Sequence, residues 1–377
     1  MSLLISIILI NIEYRYMWFT MLLNTSYIQL YTTLLFSYLT LNSKHLRGTT
    51  YRKNNCLVNY KIAGASKFCT LFLLYSTMIK MMNSINININ LNVLNTLFFL
   101  YLPYYLAFPE YTGERKILMP SYFHSIIKLL FKILGNYKFI NESCKLERVD
   151  SNGNNYIFGI HPHGLFPFGS VGSLALSNNL KYIEETTPIL NTKYLKPGIA
   201  SFCFYIPFMR EFFLWLGAVD CSKPILKNLL MEGYSVALFV GGAQEAQYSG
   251  TGSTRLVLKS RNGLFKLALD TGSTLVPIYT FGNNNIFNSV NWDIFGLLDY
   301  FKKITGIWFP RGYFIPRRHD FISVIGEPIT VEKIHPGDDI DASIEILKHK
   351  YMKSLTQLFD KYKYLDPYCS NKLLEYI

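Results

Sequence analysis

From Tyr156 onward the chain alternates apolar runs of strand length with amphipathic runs of helix length, and that pattern restricts it to an α/β domain. Tyr156–Ile160, Ser235–Val240 ("SVALFV"), Thr274–Phe281 ("TLVPIYTF") and Phe321–Ile325 read as strands. Ile225–Glu232, Leu264–Asp270 and the long stretch Ile340–Tyr362 read as helices. The first two of these helices run into Gly233 and Gly272, residues suited to the left-handed position that closes a helix. At 377 residues there is material for one large domain or two modest ones.

Before Glu110 the texture is different, because charge disappears in long stretches. Phe68–Ile79 ("FCTLFLLYSTMI") lies between Lys67 and Lys80. As a helix it would reach only about 18 Å, against a hydrocarbon thickness of roughly 30 Å. Leu91–Phe108 is longer and contains Pro103, which removes a backbone donor and favours a kink. Together they read as a membrane hairpin or re-entrant pair, or else Leu91–Phe108 is a buried core helix. Lys44, Arg47, Arg52, Lys53, Lys61 and Lys67 precede the pair, and Arg115, Lys116, Lys128 and Lys132 follow it. Basic flanks on both sides place both in the cytosol. Met17–Ser43 has no charged residue and is a further candidate span. The expected organisation is an apolar extension over 1–60, a hairpin over 61–110 and a catalytic domain over 111–377.

A net charge of +12 in a chain that is half apolar, with 28 Tyr and 28 Phe, calls for an anionic partner met at an apolar surface. Membrane lipid or an acyl-carrier phosphate fits this. Nucleic acid is excluded, since no finger, KH or RNP pattern is present. Six scattered cysteines without a CxxC pair suggest neither a disulfide framework nor a zinc ribbon. The tract "NSINININLN" (Asn83–Asn92) is read as compositional bias rather than as a binding element.

The chemistry gathers at strand ends. "YIFGIHPHG" sets His161 and His163 at the carboxyl end of a strand, the usual place for a ligand in an open α/β sheet. A neutral imidazole there can take the proton of an alcohol as it attacks an acyl carbonyl. No GxSxG elbow is present, so direct transfer needs no covalent acyl-enzyme. In "FVGGAQEAQ" Glu245 is the carboxylate placed to orient a base, and Gly241 and Gly242 offer backbone N–H groups to an oxyanion or a phosphate. Arg255, Lys259, Arg261 and Lys266 cluster at a helix start, either as an anion site or as a solvated basic face. Other readings stand beside these: His161 as a structural histidine, the two imidazoles with Glu245 as a metal site, and Arg210–Glu211 as a helix-face ion pair.

These residues amount to a resemblance. "YIFGIHPHG", "REFFLWLGAVDCSK", "VGGAQEA", "RNGLFKLALDTGSTLVPIYTFG" and "VIGEPITVEKI", in this order, resemble the type-2 diacylglycerol acyltransferase family, which includes monoacylglycerol and wax-alcohol acyltransferases. The resemblance implies a fold like the glycerolipid acyltransferases, a sheet covered by helices behind an N-terminal membrane hairpin. It also implies acyl-CoA as co-substrate with no further cofactor or metal, and a diacylglycerol or related lipid alcohol as acceptor. The implied location is the endoplasmic reticulum membrane with the catalytic domain facing the cytosol, extending to lipid droplets, with a homo-oligomer left open. Since some branches of the family carry Glu in place of the first histidine, His163 is the implied base and His161 a supporting group. The GGAxE block falls on Gly241, Gly242 and Glu245, and the basic block on Arg261, Gly263 and Lys266. Ala246–Gln247 and "PRRHDF" (Pro316–Phe321) depart from the family pattern, which leaves the acceptor undecided. The alternative class is a membrane-anchored lipid-binding scaffold that keeps the fold without catalysis.

Overall fold

The computed structural model describes residues 51–53, 56–58, 67, 71–73, 75–80, 98, 100–101, 105, 110, 129, 133–142, 155–167, 195–287 and 316–377. They fall in two compact units, Met1–Ala107 and Phe108–Ile377. The expected span at 17–43, the tract Asn83–Asn92 and most of Leu91–Phe108 lie outside the described residues.

In the first unit, strands β1 (Tyr51–Lys53) and β2 (Cys56–Val58) pair antiparallel. Residues 71–73, 75–80, 98, 100 and 101 are helical. The rings of Tyr75 and Phe98 meet at 4.4 Å, and the Lys67 ammonium lies 5.9 Å from the centre of the Tyr105 ring. Contacts 75 to 98 and 67 to 105 run in opposite directions along the chain, as in two antiparallel helical arms. Ser76 and Thr77 donate their hydroxyls to the carbonyls of Phe72 and Leu73, so the helix satisfies its own polar groups. Among the described residues no helix is long and apolar enough to cross a membrane.

The second unit is built on a seven-stranded sheet of order β3-β10-β9-β4-β7-β5-β6. Its strands are β3 (Tyr137–Asn141), β4 (Tyr156–His161), β5 (Leu195–Ile199), β6 (Val219–Asp220), β7 (Ser235–Phe239), β9 (Thr274–Phe281) and β10 (Phe321–Ile325). β9, β4, β7, β5 and β6 run parallel, and β10 and β3 run against them. The expected strands are all present, three of them shifted by one residue or less at their ends. Five helices complete this part: α1 (Met209–Trp215), α2 (Lys223–Met231), α3 (Gly242–Glu245), α4 (Asn262–Thr271) and α5 (Ile340–Tyr362). Gly272 closes α4 at φ 72°, the role its position suggested. Asp339 caps α5 by accepting the N–H groups of Asp341 and Ala342.

Because β4 is central, both of its faces are buried, and this sets the site. Tyr156, Phe158 and Ile160 join Leu195, Ala237, Val276 and Ile278 in one core cluster. Ile157, Gly159 and His161 point the other way, as the period of two requires. There Gly159 lies under the hydroxyl of Tyr351 on α5, and a Cβ at 159 would overlap it. A short second sheet pairs β8 (Arg255–Leu256) with β11 (Glu375–Tyr376) in parallel.

Candidate active site

The carboxyl ends of the adjacent parallel strands β4, β7 and β9 bring together three turns that are far apart in sequence. His161 ends β4, Pro162 follows through a cis peptide bond, and His163 and Gly164 form the turn. Gly164 has φ 69°, a backbone region in which glycine is at ease. The ring of His163 is half-buried and stands edge-on to Phe239 at 6.0 Å. Its Nδ1 lies 2.8 Å from the carbonyl oxygen of Gly164. A carbonyl can only accept, so the ring proton sits on Nδ1 and Nε2 keeps its lone pair. Burial pushes the imidazole below its ordinary value, outweighing the Gly164 carbonyl, which pulls it up. The ring is therefore neutral at neutral pH, the state a base needs.

Glu245 ends α3, fully buried, and reaches the same turn. The expected contact was with the ring; the structure puts the carboxylate on the main chain instead. Oε1 accepts the His163 N–H at 2.6 Å and Oε2 accepts the Val257 N–H at 2.9 Å. A side chain at Gly241 would overlap the folded-back Glu245, so that glycine makes room for the carboxylate. Gly242, at φ 56°, opens α3 with free space above its Cα. Burial raises the Glu245 carboxyl to about 7, against a smaller lowering by the two amides and Arg261.

His161 stands apart from this chemistry. It is fully buried, and its Nε2 lies 3.1 Å from the Tyr351 hydroxyl, which donates its own proton to the Gly159 carbonyl at 3.2 Å. Nε2 is therefore the donor, and Nδ1 has no hydrogen-bond partner among the described residues. Burial pushes this imidazole down to about 3, so it stays neutral. Tyr351 was not anticipated, although a glycine inside a buried strand is a signal that another group approaches closely.

Arg261 precedes α4 and donates through Nη2 to the Gly241 carbonyl at 2.9 Å and to Gln244 Oε1 at 3.0 Å. Gly263 and Lys266 are exposed in the first turns of α4. The basic run is thus divided. Arg261 belongs to the glycine turn, Lys266 faces solvent, and Arg255 pairs with Glu375 at 3.0 Å. Arg210 and Glu211 do form an ion pair, at 3.0 Å, with the guanidinium wholly buried. His319, expected to be a solvent or capping residue, directs Nε2 toward Asn285 at 3.3 Å. Among the described residues no three His, Cys, Asp or Glu side chains form a metal-binding group. The sequence reading stopped at Gly282, yet the next three residues, Asn283–Asn285, are all buried against these turns.

A family model described as diacylglycerol acyltransferase matches residues 86–372. A Dictyostelium discoideum protein named diacylglycerol O-acyltransferase 2 is 37% identical over 226 residues, 55% of this chain and 66% of that protein. A Mus musculus protein named 2-acylglycerol O-acyltransferase 1 is 32% identical over 299 residues, 72% of this chain and 83% of that one. The chain spans about half to two thirds of the length of the first such relatives. A solved 1-acyl-sn-glycerophosphate acyltransferase from Thermotoga maritima aligns over 61% of this chain and 77% of its own, with TM-score 0.35 and 13% identity, too distant to bear on the site.

Proposed function

The chain belongs to the diacylglycerol acyltransferase family, and on that footing we propose that it transfers a fatty acyl group from coenzyme A to the hydroxyl of a lipid alcohol, diacylglycerol foremost. The observation that carries this reading is the free Nε2 of His163, fixed by the Nδ1–H bond to Gly164 at the rim of the parallel strands. Nε2 takes the hydroxyl proton as the oxygen attacks the thioester carbonyl. The carbon–sulfur bond then breaks, the ester forms, and the proton passes to the departing thiolate to give free coenzyme A. Backbone N–H groups of the Gly241–Gly242 turn are the donors suited to the oxyanion. Monoacylglycerol is the second acceptor to consider, because the mouse 2-acylglycerol relative aligns over the larger share of this chain. Purified protein given labelled acyl-CoA with diacylglycerol, monoacylglycerol, fatty alcohol and lysophosphatidate tests the reading; no ester from any of them would overturn it.

Lys266 and Arg261 are assigned to the coenzyme phosphates, with different weights. Lys266→Ala is expected to raise the KM for acyl-CoA about two- to fivefold at low salt and less at high salt, since an exposed charge is screened. Arg261→Ala should also lower turnover, because it releases the Gly241 carbonyl. Equal losses with a phosphate-free acyl thioester would remove the assignment.

The helical arms of the first unit are proposed to enter and leave the endoplasmic reticulum membrane from the cytosolic face. Their antiparallel contacts and self-satisfied hydroxyls support this, as do the basic flanks. A tag placed after residue 377 should be digested by protease on sealed microsomes, and a protected tag would put the site on the other side.

A further inference from the structure

Asn283 opens the 3-10 turn that follows β9 and is almost completely buried. Its Nδ2 donates to the carbonyl oxygens of Pro162, at 3.1 Å, and His163, at 2.9 Å. Two carbonyls of one turn are met by the two hydrogens of one amide, a fit that serine or a charged side chain does not reproduce. Gly164 completes it, since a Cβ there would overlap Asn283 Nδ2. The clamp is itself braced. Asp366, buried in the segment after α5, accepts from Asn285 Nδ2 at 2.8 Å and from the Gly282 N–H at 3.3 Å. Asn285 Oδ1 in turn accepts the Gly252 N–H, and Asn284 Nδ2 donates to the Ser253 carbonyl, both at 2.8 Å.

Gly164 gives the turn its left-handed conformation, but a glycine is also the residue most able to leave it. Were its carbonyl to rotate away, Nδ1 of His163 would lose its acceptor and the ring proton could move to Nε2. We infer that Asn283 is a positioning residue: by holding the carbonyls of Pro162 and His163 it keeps the Gly164 carbonyl on Nδ1 and so keeps Nε2 the free base. This rests on the reading of His163 as the base.

The test uses the full chain and reads His163 without any substrate. The rate of His163 carbethoxylation by diethylpyrocarbonate is followed by peptide mass spectrometry across the pH range, in the parent, in Asn283→Leu, which keeps the branched shape, and in Asn283→Ala. Phe239 and Asn283 face the ring without charge, and Glu245 meets His163 through its main chain and titrates in parent and variants alike. The parent midpoint should lie below the ordinary histidine value, and in the variants it should rise by about half a pH unit or more as the turn opens to water. Acyl transfer should fall roughly 10- to 100-fold in turnover with the KM for acyl-CoA unchanged, the cost of a base misplaced by about an ångström. A lowered amount of folded protein with an unmoved midpoint would overturn the inference. Asp366→Asn, which loosens the brace from outside, should move the midpoint the same way and decides the matter if both Asn283 variants fail to fold. A shifted midpoint in a protein whose parent transfers no acyl group would keep Asn283 as the clamp and remove the proposed reaction.

Discussion

Replacing His163 by alanine is expected to cut turnover by about 10²–10⁴-fold, the usual cost of a lost general base, with the fold intact. The separation of chemistry from folding follows from how the turn is held. Glu245 grips the main-chain N–H of His163, and Asn283 grips its carbonyl, so neither bond needs the imidazole. Only the Gly164 contact and the Phe239 edge are lost with the ring. His161→Ala should behave in the opposite way. That imidazole is buried against Tyr351 under α5, so its removal leaves a cavity and an unpaired hydroxyl. A loss of about 1–3 kcal/mol in stability is expected there, with turnover per folded molecule far less affected. Turnover of folded enzyme and melting temperature, measured together on both variants, separate the two histidines. Near-normal turnover in folded His163→Ala would sink the assignment.

The contrast between these two histidines shows what the sequence could reveal. Both were visible as a pair at the end of a strand, and the period of two already put them on the same side of the extended chain up to that end. What turns them apart is the geometry of the turn after His161, and no local pattern encodes it. Strands β4, β7, β9 and β10 and helices α2, α4 and α5 were legible because apolar periodicity and glycine stops are local signals. β5 was not, since "LKPGI" carries a lysine and a proline against strand formation. It is tolerated because Pro197 pairs only with β7, while β6 reaches only Gly198 and Ile199. The opposed direction of β10 was equally hidden, as hydrophobicity carries no sense of direction. Glu245 was found by its place after a strand, but its choice of main chain over ring depends on two amides, at 163 and 257, that only the folded chain brings within reach. Asn283 gave no signal of its own in a chain rich in asparagine.

Glu245→Gln is expected to lower turnover roughly 10- to 100-fold with little change in the KM for acyl-CoA. The carboxylate supplies one acceptor oxygen to His163 N–H and the other to Val257 N–H. Glutamine keeps one acceptor and turns an NH₂ group toward the second donor, and an unpaired buried donor costs about 1–3 kcal/mol. That cost falls on the placement of His163, hence on turnover, rather than on coenzyme binding. The pH dependence is a sharper signature, because burial raises this carboxyl to about 7 in the folded chain. A raised folded value means that the carboxyl's contribution to stability is fully present below the ordinary carboxyl range and is lost as pH rises through about 7. Turnover should move oppositely, since only the ionised form offers both oxygens as acceptors to the two amides. The parent is thus expected to melt at lower temperature but to work faster as pH rises through about 7, with the His163 limb lying lower. Glutamine cannot titrate, so both slopes near neutrality should flatten in the variant, leaving only the lower limb. If the limb near neutrality persists in Glu245→Gln, another group produces it and the carboxylate is not what holds the base in place.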